Sequence, residues 1–81
     1  MTKYGYTFTY EKVEDFGYYV VRINGELIFN FSIDKLPNNK FGIYDGYNSE
    51  YIVKNETLKF CKEEFARLFA SDELYKRSNN R

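Results

Sequence analysis

The sequence predicts an α+β domain: an antiparallel β-sheet of about four strands, five if one segment doubles back, with one C-terminal helix packed on one face. Three observations predict it. Residues 3–12 and 26–33 alternate aromatic or apolar side chains with polar or small ones at period two, and 18–24 is a β-branched and aromatic run between them, the patterns of half-buried strands. Asn24-Gly25 interrupts them with a strong hairpin signal, because both central residues of a type I′ turn need positive φ. Past residue 55 the period changes. Leu58, Cys61, Phe65, Leu68 and Phe69 then form one apolar stripe at helical spacing.

In chain order, residues 3–12 read as strand one. Its core is YGYTFTY, with rings at Tyr4, Tyr6, Phe8 and Tyr10 and only Gly5, Thr7 and Thr9 between them. EKVEDFG is an acidic turn ending in glycine. YYVVRIN, 18–24, is strand two, and ELIFNFSI, 26–33, is strand three. DKLPNNK, 34–40, should break the sheet, since Pro37 cannot donate to a ladder and Asn38-Asn39 tolerate turn geometry. Residues 41–53 return as one or two short strands around Asp45-Gly46. Asn55 suits the N-cap of the helix, with Glu56 in its first turn. Ser71-Asp72-Glu73 either caps a short second helix or continues the first. The end, 76–81, should fray.

Eighty-one residues make one domain, 1–81. A chain this short buries a modest share of its surface and has a thin stability margin. Nine Tyr and eight Phe compensate, but that is more aromatic area than so small a core can enclose, so several Tyr should stay partly exposed. Twelve basic side chains balance twelve acidic ones. That neutrality argues against direct nucleic-acid binding and against attraction to an anionic membrane. No apolar run is long enough to span a bilayer, and the N-terminus lacks a signal-peptide layout. With one cysteine and no possible internal disulfide, the chain suits a reducing, cytoplasmic setting.

The residue types exclude most catalysis. There is no histidine, so no Ser-His or Cys-His nucleophile pair and no His-ligated metal. Cys61, on the apolar stripe, reads as a small buried hydrophobe. The adjacent carboxylates Glu14-Asp15, Glu63-Glu64 and Asp72-Glu73 would need a sugar-sized cleft for glycoside hydrolysis, and 81 residues leave little material for one. DGYNSE lacks the calcium-loop glycine, and Gly42 and Gly46 form no phosphate-cradling motif. No catalytic residue, metal or cofactor is expected, and the chain is read as a non-enzyme.

Function then rests on which side the rings face. A two-residue Asn24-Gly25 turn carried on through strand three sets Val20 against Phe29 and Tyr18 against Phe31. The helix stripe is expected on that richer face, with Leu27 and Ile33. If the acidic turn holds an even number of residues, the ring row lies with Tyr19, Val21 and Ile23 on the side left open; an odd number flips it. An open apolar face rimmed by polar groups marks an interaction surface, and Tyr is enriched there.

The expectation is therefore a protein-binding module that occludes its partner. Tyr4, Tyr6, Tyr10 and Tyr19 would supply contact area, and Glu11, Glu14 and Asp15 would steer a basic partner. A nucleic-acid-processing enzyme offers such a surface. Size, tyrosine content and the missing catalytic set fit the small inhibitors of phages and mobile elements, of anti-CRISPR or anti-restriction type. Two other readings stand beside it. One is a homodimer formed through the open face or a strand edge, serving as an assembly subunit. The other is a small-ligand or nucleotide binder without turnover, in which Arg22 or Lys40 meets phosphate.

Overall fold

In the computed structural model, which describes residues 2–79, seven strands form one antiparallel sheet followed by two helices. The strands are β1 (Thr2–Lys3), β2 (Tyr6–Val13), β3 (Tyr18–Ile23), β4 (Glu26–Leu27), β5 (Phe31–Leu36), β6 (Lys40–Asp45) and β7 (Glu50–Glu56). The helices are α1 (Leu58–Ala70) and α2 (Glu73–Asn79). The sheet order is β1-β2-β3-β5-β6-β7, with β4 hydrogen-bonded to β3. The α+β class with an antiparallel sheet is as the pattern predicts; the elements are more numerous.

Each added element has a local cause. Tyr4 and Gly5 both take positive φ, so strand one folds back on itself as the hairpin β1–β2. Strand three splits at Asn30, whose φ of 65° places it in the left-handed region. The break after strand three is narrower than expected: β5 runs on to Leu36, and only Pro37–Asn39 form a 3₁₀ turn. The segment around Asp45-Gly46 does double back, as β6 and β7. Asn55 is not the helix cap. It takes φ 61° within β7, and Thr57 caps α1 instead, its hydroxyl accepting from Phe60 N–H at 3.0 Å. Residues 71–72 separate the helices, with Asp72 at φ 65°. Of the end expected to fray, Lys76 through Asn79 lie within α2; residues 80 and 81 lie outside the described residues.

The register decides the faces. Ile23 pairs Glu26 and Arg22 pairs Leu27, as a two-residue turn requires. Beyond β4 the ladder slides: Tyr18 opposes Asp34, three positions past Phe31, and Tyr19 opposes Ile33. An odd shift moves every side chain to the other face. Phe31 and Ile33 therefore join Val21 and Ile23, and the helices pack there. The acidic turn holds four residues, 14–17, between paired Val13 and Tyr18, so Phe8 opposes Ile23 and Tyr10 opposes Val21. The ring row thus does lie with Tyr19, Val21 and Ile23, but that is the covered face. The expectation that the helix stripe lands on the Tyr18 and Val20 face is corrected by the slide at residues 28–30.

The core reflects this. Phe8, Val21, Ile23, Phe31, Ile33 and Ile43 from the sheet close against Cys61, Phe65, Ala66, Leu68 and Leu74 from the helices. Burying each such large side chain is worth about 1.5–3 kcal/mol. Helix α1 lies over β5, β6 and β7, and its Phe69 reaches across to Phe8, the ring centroids 6.0 Å apart.

Candidate docking face

The sheet face turned away from both helices is uncovered. From β2 it carries Thr9 and Glu11, from β3 Tyr18, Val20 and Arg22, from β4 Leu27, from β5 Ser32 and Asp34, from β6 Tyr44, and from β7 Tyr51. These are the alternate residues to those in the core, as the pleat demands. Two rings project beyond it. Phe16, in the acidic turn, is 73% exposed and leans on Tyr18 at 6.2 Å between centroids. Phe29, in the bulge between β4 and β5, is 69% exposed. Beside Phe29 lies a groove of about 300 Å³ lined by Tyr18, Val20, Leu27, Ser32 and Tyr44.

One flank of this face is rigidly organised. Gly42 leaves room on β6 for the Tyr51 ring: a Cβ at Gly42 would stand 3.1 Å from Tyr51 Cδ1 and 2.5 Å from the Val53 carbonyl oxygen. The Tyr51 hydroxyl donates to Asp34 Oδ2 at 2.9 Å, and Ser32 donates to Asp34 Oδ1 at 2.6 Å. Burial, and then the Asp34 carboxylate that accepts its proton, push the Tyr51 phenol up to about 12. Tyr44 packs edge-on to Tyr51 at 4.9 Å, and Lys54 Nζ sits 5.6 Å from the Tyr51 ring centre.

The side chains expected from sequence to make the docking surface fall in three places. Tyr6 and Tyr10 serve the helix seam. Tyr6 stands edge-on to Phe69 at 5.0 Å, and the Tyr10 hydroxyl donates to the Lys62 carbonyl at 2.9 Å, its phenol pushed up to about 12 by burial. Tyr19, on the same covered face, lies 5.9 Å under Lys62 Nζ and 6.4 Å from Phe41. Tyr4 tips the β1–β2 hairpin, half-exposed. Glu11 is on the open face, where its carboxylate is paired with Arg22. Glu14 and Asp15 are exposed in the turn beside Phe16. The structure therefore separates the four tyrosines from the open face and leaves the acidic groups at its rim. The open-face rings Tyr18, Phe29, Tyr44 and Tyr51 were hidden in the sequence because their face depends on the slide at 28–30, which no local pattern announces.

Arg22 and Lys40 do not converge on a pocket. Arg22 pairs Leu27 beside the Asn24-Gly25 turn, and Lys40 pairs Leu36 at the other end of the strands. Cys61 is wholly buried, and burial together with Glu56 pushes its thiol up to about 11. Among the described residues no group of acidic or thiol side chains is placed to hold a metal ion, and no helix is long and apolar enough to cross a membrane.

A second polar cluster is structural. Asp45 is fully buried on the covered face. Its Oδ1 accepts from the N–H groups of Tyr47 at 2.9 Å and Asn48 at 3.1 Å, and its Oδ2 from Asn48 Nδ2 at 2.8 Å and Arg77 at 3.2 Å. Arg77 also bonds Glu50 at 2.7 Å. The carboxylate is thus fully partnered and ties α2 to the β6–β7 hairpin. The comparisons with known proteins give no match: no family model, no curated protein and no solved structure is significantly similar to the chain.

Proposed function

We propose that the chain is a non-enzymatic protein-binding module that docks through its open sheet face, a small inhibitor or regulator that covers the working surface of its partner. The observation that carries this reading is the exposed Phe29 lining the apolar groove, with exposed Phe16 packed on the groove's Tyr18, on a face the helices leave bare. Large apolar patches with a polar rim mark interaction surfaces, and buried aromatic anchors supply most of the energy of such contacts. Glu14 and Asp15 set an acidic rim next to Phe16, so the matching surface is apolar with a basic margin on that side. The substrate channel of a nucleic-acid-processing enzyme has that character. An anti-CRISPR or anti-restriction role, carried by a phage or mobile element, is the version of this reading that size and composition favour.

A pull-down with the immobilised chain tests it. Phe29→Ser with Tyr18→Ser should lose the partner while the variant keeps its melting temperature within a few degrees. Tyr6→Ala with Tyr10→Ala should instead lower the melting temperature, because those rings brace the helix. Retention of the partner by a folded Phe29→Ser, Tyr18→Ser chain would count against the open face as the docking surface.

A further inference from the structure

We infer that the open face is met by a second copy of the same chain, in a two-fold, face-to-face sandwich of the two sheets. This rests on the reading of that face as a docking surface and names its occupant. The argument is one of charge and area.

Glu14 and Asp15 stand on the β2–β3 side of the sheet, and among the described residues no cation lies within ion-pair distance of either. Lys40 and Lys54 stand on β6 and β7, and among the described residues neither has an anion within that distance. All four belong to the same end of the strands. The acidic turn closes at the Val13–Tyr18 pair, and the β5–β6 connection closes at Leu36–Lys40. Lys35 N–H donates to Gly17 O at 2.8 Å, which sets the two connections side by side.

A two-fold axis parallel to the strands and centred on β5 exchanges the β2–β3 side with the β6–β7 side and preserves that end. It lays Glu14 and Asp15 of each copy over Lys40 and Lys54 of the other. An isologous interface needs such self-complementarity. The charges at the centre are already held: Asp34 by Tyr51 and Ser32, Glu11 by Arg22.

Area agrees. Five main strands spaced about 4.8 Å apart, each about six residues of 3.3 Å, give a flat footprint of roughly 500 Å² before the relief of the side chains is counted. A standard interface buries about 800 Å² per partner, and aligned sheets pack face to face about 10 Å apart. The zero net charge leaves no long-range repulsion between copies. A foreign partner with an apolar, basic-rimmed surface would then compete with the second copy for one face.

Sedimentation of the full chain from about 1 to about 100 μM tests this. The unmodified chain should reach a dimer in that range and lose it as salt rises. Glu14→Lys with Asp15→Lys should weaken self-association at least about tenfold, and so should Lys40→Glu with Lys54→Glu. An equimolar mixture of the two charge-reversed chains should recover a dimer. Phe29→Ser should also weaken self-association, with thermal unfolding confirming that each variant is folded. A monomer throughout, a dimer indifferent to these changes, or a mixture that fails to recover would overturn the inference. If the chain is monomeric but Phe29→Ser still abolishes pull-down of a foreign partner, the docking face stands and only its occupant is wrong. If that pull-down is also unchanged, the proposed function falls with it.

Discussion

Arg77, on the last helix, reaches back to place Nη1 3.2 Å from Oδ2 of the fully buried Asp45. Breaking a buried ion pair by deleting one partner is costly because the other charge is stranded. Here Asp45 keeps three further donors from Tyr47 and Asn48, so the loss is limited. Arg77→Ala is expected to cost about 2 kcal/mol, the range of a hydrogen bond to a charged group. Equilibrium urea unfolding measures it. An effect below a few tenths of a kcal/mol would mean that α2 is held without this ion pair, by Leu74 and the bond from Asn48 Nδ2 to the Arg77 carbonyl.

The same carboxylate sets an acid limit. Burial pushes the Asp45 pKa up, but the hydrogen bonds from Asn48, Arg77 and Tyr47 together outweigh it and hold the group below its ordinary value. The unfolded chain, with a carboxyl pKa of about 3.9, therefore binds this proton more readily than the native state. Its contribution is complete above that value and is lost as pH falls through the lower, folded pKa. Denaturation midpoints followed from neutral pH downward should show Asp45→Asn to be less stable near neutrality but less acid-sensitive than the unmodified chain. Parallel curves would exclude Asp45 as a source of the acid sensitivity.

Cys61 should be inert in the folded chain. Its thiol is enclosed by the core, and burial with Glu56 lifts its pKa from 9.0 to about 11. The thiolate is the reactive form, so a rise of that size alone slows alkylation about 100-fold at neutral pH. Iodoacetamide labelling followed by mass spectrometry should be slow in buffer and complete in denaturant. Equal rates in both would contradict the buried position.

Gly42 is predicted to be intolerant of a single methyl group. The added Cβ would meet the Val53 carbonyl oxygen at 2.5 Å and Tyr51 Cδ1 at 3.1 Å, and the carbonyl belongs to a paired strand that has little room to move. Overpacking of this kind costs about 1–3 kcal/mol. Thermal unfolding of Gly42→Ala reports it directly. A neutral result would show that β7 shifts freely and that the Tyr51–Asp34 bond is not a fixed feature of the open face.

Much of what the chain announces locally, it delivers, although the Asn55 cap and the unbroken strands one and three are exceptions. Period-two alternation marks the strands, Asn24-Gly25 makes its two-residue turn, and the stripe from Leu58 to Leu68 makes a helix whose buried residues are Cys61, Phe65, Ala66 and Leu68. These follow from backbone preferences and from which side chains avoid water, properties carried by a few neighbouring residues. The absence of histidine likewise needed no structure. Which face the helices cover is a different kind of fact. It depends on the phase of the alternation, and the phase is reset by one odd slide at residues 28–30. There Asn30 turns left-handed and its carbonyl accepts from Gly46 N–H at 2.6 Å, a distant partner in the β6–β7 turn. That long-range contact sends Phe31 and Ile33 to the side of Val21. It puts Tyr6 and Tyr10 beneath α1 and leaves Tyr18, Phe29, Tyr44 and Tyr51 facing outward. Local sequence sets the period of a strand, but only its pairing with distant strands sets the face, because a one-residue change in register inverts every side chain at once.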